Sequence, residues 1–333
     1  ARLESLAQPG HTLVSSSVHT RAEPFIDFAP RQVAEVKGVD QPVEIYEALG
    51  LRAQPTPSRG LPGMTGVYLG RAEELSRLHR LTEACVARQR GRLVMITGEA
   101  GMGKSRLVSE WISGWPQDTF TVWRGRGLPY AQGVGYGVFR TLLQHALEGY
   151  ESPDTWEARV SEPFRPFIRR ILGLPGWHNQ EALWEQLPPE RVSQLTMLAM
   201  REWLVNESAG HPLVVILDDF HWADDLSRDT LAMLANAVSE TPLLLCVVAR
   251  PDAATQIGAG DLAPELCEHV AVRPLSTDES HALLQSFVDL DGFPPATVQT
   301  ILTRAEGNPF FIEEFVRMLF EQAALQLHGD RWR

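Results

Sequence analysis

The stretch TGEAGMGKSR, Thr97 to Arg106, sets Gly98, Gly103, Lys104 and Ser105 in the order G-x-x-x-x-G-K-S, with Gly101 as a further glycine. Glycines at this spacing let successive backbone N–H groups turn inward around phosphate oxygens, while the helix that starts near Lys104 aims its positive end at them. In such a loop the lysine bridges the terminal phosphate oxygens and the serine hydroxyl ligates Mg2+, so Lys104 and Ser105 are read in those roles. A ligand-free turn between strand and helix fits the context less well. An apolar run precedes the loop, and Leu107, Val108, Trp111 and Ile112 give the segment after it an apolar face. Lys104 is also one of only two lysines among thirty basic residues, the other being Lys37. A compact ammonium differs most from a guanidinium where a point charge must fit among phosphate oxygens.

A phosphate loop of this kind needs a metal-side carboxylate at the end of a nearby strand. VVILDD supplies it: Asp218 closes the apolar run and is predicted to hold Mg2+, directly or through water, and Asp219 to orient the attacking water. Arg250, at the end of LLLCVVAR, lies where ligands of open α/β sheets gather and is predicted to sense the γ-phosphate; a surface arginine that merely ends a strand is the alternative. His221 and Trp222 are read as packing residues.

These residues must be positioned by alternating elements. Arg92 to Thr97, Phe120 to Gly125, Pro212 to Asp219, Leu243 to Arg250 and His269 to Leu275 are strand-like runs, mostly apolar at successive positions. Such runs, separated by helical stretches, predict an α/β P-loop fold with a parallel sheet covered on both faces. A helical insertion is expected over 128–211, with FRTLLQHALEG and RVSQLTMLAMREWLV as its clearest helices. After Leu275 the pattern reads as wholly helical, opening on a capping box at Ser276 and Glu279, so 276–333 is set apart as a helical segment. The ATPase domain is therefore placed at 64–275. The Pro/Gly-rich LRAQPTPSRGLPG, 51–63, reads as a linker. Residues 1–50 before it hold a short helical start at Ala1 to Ala7, strand-like HTLVSS, RQVAEVKG and PVEIYEAL, and a turn at Val39 to Pro42. They predict a small α+β piece with a thin core.

Composition narrows the function classes. The chain has 333 residues, 44% hydrophobic and 22% charged, ordinary for a globular protein. No apolar run reaches the roughly 18 residues of a membrane span, so the expected location is cytoplasmic, without a membrane partner. Cys85, Cys246 and Cys267 form no C-x-x-C pair, which excludes a zinc or disulfide framework as the organising element. A net charge of −12 argues against a broad nucleic-acid-binding surface.

Together these residues resemble the STAND class of signal-transduction ATPases, relatives of the AAA+ and NB-ARC proteins. The similarity runs through VYLGRAEEL, the loop at Gly98 to Ser105, LDDFHWAD, VVAR and EGNPFFIEE. It implies ATP with Mg2+ as cofactors, an extra strand between the two nucleotide motifs, and a helical lid, which makes 276–333 the lid. It further implies that Val67, Gly70 and Arg71 on one side, and Asn308 and Pro309 on the other, close over the adenine. Asp219 stands where many AAA+ ATPases have glutamate, one methylene longer. The shorter reach to a water favours slow hydrolysis and a switch rather than a motor.

The opening fifty residues are similar to the carboxyl-terminal portion of a class III adenylate or guanylate cyclase domain. The resemblance implies that Arg2 stabilises a transferring phosphoryl group and that Lys37 contacts a triphosphate. The cyclase's metal aspartates would lie upstream, so this piece makes no cyclic nucleotide alone. The reading is thus an ATP-binding switch, attached to a cyclase and to a downstream sensor domain, in a chain that continues on both sides. Self-association into a homo-oligomer is left open. The alternatives are an AAA+ motor or loader acting on DNA and a nucleotide-binding scaffold without turnover.

Overall fold

The structure, a computed structural model, describes residues 7, 11–23, 26–34, 43–51, 67–88, 90–116, 118–129, 135–150, 155–174, 186–238, 241–251, 267–321, 327–328 and 331–332. The chain divides into two compact units, Ala1–Gly66 and Val67–Arg333.

In the first unit, β1 (Thr12–Ser15), α1 (Ser16–Ala22), β2 (Ile26–Phe28), β3 (Gln32–Ala34) and β4 (Val43–Leu51) follow in order. The nine-residue β4 is the spine, antiparallel to β1, β2 and β3. HTLVSS and PVEIYEAL become β1 and β4, whereas α1 and β2 carried no periodic signal long enough to read. His19 of α1 stacks on Tyr46 with ring centroids 3.7 Å apart. Ile45 is the buried hydrophobic residue among the described part of this unit. Arg2, Lys37, the turn at Val39 to Pro42 and the linker beyond Leu51 lie outside the described residues.

The second unit is built on a five-stranded sheet in the order β6-β7-β8-β5-β9. Its members are β5 (Arg92–Thr97), β6 (Thr121–Arg126), β7 (Leu213–Asp218), β8 (Leu243–Ala249) and β9 (Cys267–Ala271), all parallel. This is the α/β P-loop arrangement the sequence predicts. Successive residues of a strand face opposite sides, and here both sides are covered. Leu93, Met95, Val215, Leu217, Leu245 and Val247 pack into one core. Val94, Ile96, Val214, Ile216, Leu244 and Cys246 pack into the other. β9 begins two residues earlier than read and stops at Ala271, because its ladder with β5 runs from Leu93↔Cys267 to Thr97↔Ala271 and β5 ends there.

The helices α2 (Ala72–Arg88) and α3 (Lys104–Ser113) close the second core, where Trp111 Nε1 donates to Thr82 Oγ1 at 2.9 Å. The first core is covered by α4 (Gly137–Leu147), α5 (Arg165–Leu172), α6 (Pro189–Gly210) and α7 (Asp225–Ala237). The first three arise from the long insertion. Its aromatics are structural: Trp203 sits 5.7 Å from Trp123 and 5.1 Å from Trp156, centroid to centroid.

Three helices follow, α8 (Thr277–Phe287), α9 (Pro295–Ala305) and α10 (Pro309–Glu321). The capping box is formed: Glu279 N–H donates to Ser276 Oγ at 3.1 Å and Ser276 N–H to Glu279 Oε2 at 2.8 Å. The region is not wholly helical, however. β10 (Leu327–His328) pairs antiparallel with β11 (Arg331–Trp332), two residues apart, a spacing that suits a hairpin and interrupts the helical period. No helix among the described residues is long and apolar enough to cross a membrane, and no group of three or more His, Cys, Asp or Glu is placed to hold a metal ion.

One carboxylate ties the insertion to the sheet end. Asp224 accepts from Tyr136 N and Gly137 N at the start of α4, at 2.9 and 2.8 Å, and from Ser227 N at 3.0 Å as N-cap of α7. Asp224→Ala therefore leaves donors of two helix starts unsatisfied, and urea unfolding should show a loss of about 2–4 kcal/mol, with Asp224→Asn losing less.

Candidate functional site

The phosphate loop joins β5 to α3. Gly101 and Gly103 hold φ of +83° and +84°, the left-handed region that strains residues with a Cβ. Gly103 is the N-cap of α3 and offers no side-chain oxygen, so the first N–H groups of the helix keep no internal partner. A Cβ at Gly103 would meet nothing within 4 Å, so the cradle opens here. Gly98 differs: a Cβ there would lie 2.7 Å from Val272 O, beside the bond from Val272 N to Thr97 O. Lys104 folds over the loop, donating from Nζ to Gly98 O at 2.7 Å and to Glu99 O at 2.9 Å. Burial lowers its pKa below the usual lysine range, opposed by the charges of Asp218 and Asp219.

From the other side of β8 comes the acidic pair. Ser105 Oγ donates to Asp218 Oδ2 at 3.0 Å, joining the loop to the tip of β7. Burial pushes the Asp218 carboxyl above the ordinary carboxylate range and the Asp219 charge adds to it, against the bonds from Ser105 and from Asp219 N–H at 2.9 Å. Asp219 has φ of +51° and turns the chain into a short 3-10 helix, Phe220–Trp222. Its carboxylate is already engaged. Oδ2 accepts from Arg126 Nε at 3.0 Å and Nη2 at 2.9 Å. Arg126 ends β6 directly opposite Asp218 in the parallel ladder, and its own N–H donates to Thr141 Oγ1 at 2.7 Å. Two residues back on the same strand, burial lowers the pKa of Arg124, opposed by the charge of Asp218.

Arg250 follows β8 directly, is exposed, and is near enough for its charge to oppose that of Lys104. Of the flanking residues, Arg71 and Asn308 reach the loop itself. Gly70 and Arg71 both have left-handed backbone, and a Cβ at Gly70 would sit 2.5 Å from Glu279 Oε1. The Arg71 guanidinium is 3.5 Å from Met102 O and 3.6 Å from Glu74. Asn308 Nδ2 donates to Ala100 O at 3.0 Å, and Pro309 starts α10, where a missing N–H costs nothing. Val67 is exposed, while the buried Tyr68 hydroxyl beside it has no hydrogen-bond partner among the described residues and its pKa is raised by burial to about 12.

The structure thus gathers Gly98, Gly101, Gly103, Lys104, Ser105, Asp218, Asp219 and Arg250 at one edge of the sheet, with Arg71 and Asn308 against the loop. Arg2 and Lys37 lie outside the described residues. Sequence reasoning missed Arg126, Arg124 and the approach of Glu279 to Gly70. Arg126 carries a signal only once β6 is known to pair with β7, since nothing local marks a strand-terminal arginine.

Residues 68–248, over half of the chain, match the family model of the AAA ATPase domain, and residues 276–333 match a domain of unknown function. An uncharacterized protein of Rhizobium meliloti (strain 1021) is 25% identical over 86% of the chain, which spans 28% of that protein's length. Among solved structures, the Aeropyrum pernix Orc1 protein in complex with DNA aligns with a TM-score of 0.50 at 14% identity, over 81% of this chain and 64% of that one. Cdc6p from Pyrobaculum aerophilum aligns with a TM-score of 0.48 at 13% identity, over 80% and 66%.

The two loop glycines should separate in a thermal-unfolding comparison. Gly103→Ala meets only left-handed strain, about 1–2 kcal/mol. Gly98→Ala must displace the backbone at Val272 and is expected to lose about 2–3 kcal/mol.

Proposed function

The chain belongs to the AAA ATPase domain family, and we propose that it binds ATP with Mg2+ and hydrolyses it slowly, as a switch. The observation that carries this reading is the 3.0 Å bond between Ser105 and Asp218, which brings the loop hydroxyl and the strand-tip carboxylate to one point. The uncapped start of α3 and the open face at Gly103 suit an anion. Lys104 is placed to exchange its bonds to the Gly98 and Glu99 carbonyls for phosphate oxygens. Bound Mg2+ would neutralise phosphate charge between Ser105 and Asp218.

Asp219 is the residue to orient water, and its Oδ2, which accepts from both Arg126 Nε and Nη2, supports a resting state in which that oxygen is withheld. A short carboxylate already held by a guanidinium fits slow turnover. Arg250 is assigned to the γ-phosphate from its place at the end of β8. Val67, Gly70, Arg71, Asn308 and Pro309 are assigned to the nucleotide's other end, with α8 to α10 as a lid at 276–333 on an ATPase domain at 64–275, and 51–63 as linker.

The STAND assignment rests on the run of motifs from VYLGRAEEL to EGNPFFIEE. The attached cyclase is proposed from the first fifty residues, whose antiparallel sheet is built on β4, with Arg2 and Lys37 as its phosphate-contacting residues. A second reading, action on DNA, is favoured by the fold likeness to an Orc1 protein solved with DNA; the net charge of −12 weighs against it. A salt-dependent DNA shift assay separates the two.

Calorimetry should show Mg·ATP binding that Lys104→Ala weakens by about 100-fold, and loss of all binding in the wild type overturns the reading. Asp219→Asn should keep affinity within about twofold and lower single-turnover hydrolysis by at least about 100-fold. Arg126→Ala, which frees the carboxylate from an exposed ion pair, is expected to raise turnover by at most about fivefold.

A further inference from the structure

We propose that Asn308 is a positioning residue that holds the phosphate loop in its phosphate-accepting shape and makes that shape depend on the docking of α10. The proposal rests on the nucleotide-binding reading of the loop.

Asn308 is buried, with 6% of its surface exposed, and its carboxamide has two jobs. Oδ1 accepts from Phe310 N–H at 3.1 Å, which caps α10, so the NH2 end faces the loop and donates to Ala100 O at 3.0 Å. The carbonyls of Gly98 and Glu99 are held by Lys104, the next by Asn308, and Met102 O lies 3.5 Å from Arg71 Nη2. In a planar trans peptide, C=O and N–H point in opposite directions. Fixing the Ala100 carbonyl toward α10 therefore turns the Gly101 N–H away from it, toward the cradle.

The fit is close. A Cβ at Gly101 would lie 2.6 Å from Asn308 Oδ1 and 2.7 Å from Phe310 Cβ, so this glycine serves the contact with α10 as well as the loop. The turn that presents Asn308 is itself pinned: Gly307 has φ of +74°, and its carbonyl accepts from Leu275 N–H at 2.8 Å. Lys104 can leave its carbonyls for a phosphate, whereas Asn308 has no reason to leave Ala100 unless α10 moves. A displaced α10 thus loosens the loop without touching the nucleotide.

Two variants keep the cap and remove the donor: Asn308→Asp, whose carboxylate accepts but cannot donate, and Asn308→Ser, which caps but is too short to reach the loop. Hydrogen exchange of the full chain without nucleotide should show faster exchange at residues 100–103 in both. The midpoint of thermal unfolding should fall by about 2–6 °C, the cap being kept and the buried hydrogen bond to Ala100 O lost. The Asn308→Ser Kd for Mg·ATP should rise about five- to tenfold, the worth of one hydrogen bond. Unchanged loop exchange in both variants, or a Ser-variant Kd within twofold of the wild type, overturns the proposal. If the wild type binds no ATP, it is the nucleotide reading that fails, while the exchange experiment still decides whether Asn308 holds the loop.

Discussion

The site depends on two groups meeting across a strand that contributes neither. Ser105 belongs to the helix after β5 and Asp218 to the tip of β7, yet β5 and β7 are not neighbours; β8 lies between them. The 3.0 Å contact forms because all strands run parallel and reach one edge in register, with Thr97 level with Ala249 and Leu217 level with Val247. Every residue of β8 is buried, so this spacer is fixed by packing on both faces. A sheet clamped from two sides keeps its strand tips in place without bonds between the tips themselves.

Charge at that edge is poised rather than satisfied. Burial works against the charged forms of both Lys104 and Asp218, and each is supported by the other's charge or by hydrogen bonds. In a low-dielectric pocket such groups respond strongly to an incoming charge. A polyphosphate brings the negative charge that Lys104 lacks, and a divalent cation the positive charge that the acidic pair lacks. Arg126 meanwhile supplies Asp219 with a partner from the edge strand, which explains how two adjacent carboxylates coexist there.

Much of this was legible in the sequence because it is local. The G-x-x-x-x-G-K-S spacing, the strand-ending Asp218 and the Ser276–Glu279 cap are each recognisable from residues a few positions apart. β5 and β8 follow their apolar runs, since burial on both faces leaves continuous hydrophobic sequence. What escaped was set by pairing between distant segments. The ends of β9 depend on where β5 stops, the β10–β11 hairpin on four residues too few to show a period, and the Arg126–Asp219 pair on strand order. Arg71 and Asn308, expected from the resemblance to close over the base, also reach the backbone carbonyls of the loop, a contact that no local spacing announces.

Those contacts change what the geometry of the loop means physically. A phosphate loop is often pictured as self-sufficient, its glycines free to adopt whatever turn the anion demands. Here Gly98 is confined by Val272, Gly101 by Asn308 and Phe310, and only Gly103 faces open space. Two of the three glycines are therefore small because other segments press on them, one from the sheet edge and one from α10. The loop's shape is a property of the assembled unit, and the flexibility usually ascribed to glycine is largely removed by packing. A cradle confined in this way has little conformational entropy left to lose on binding.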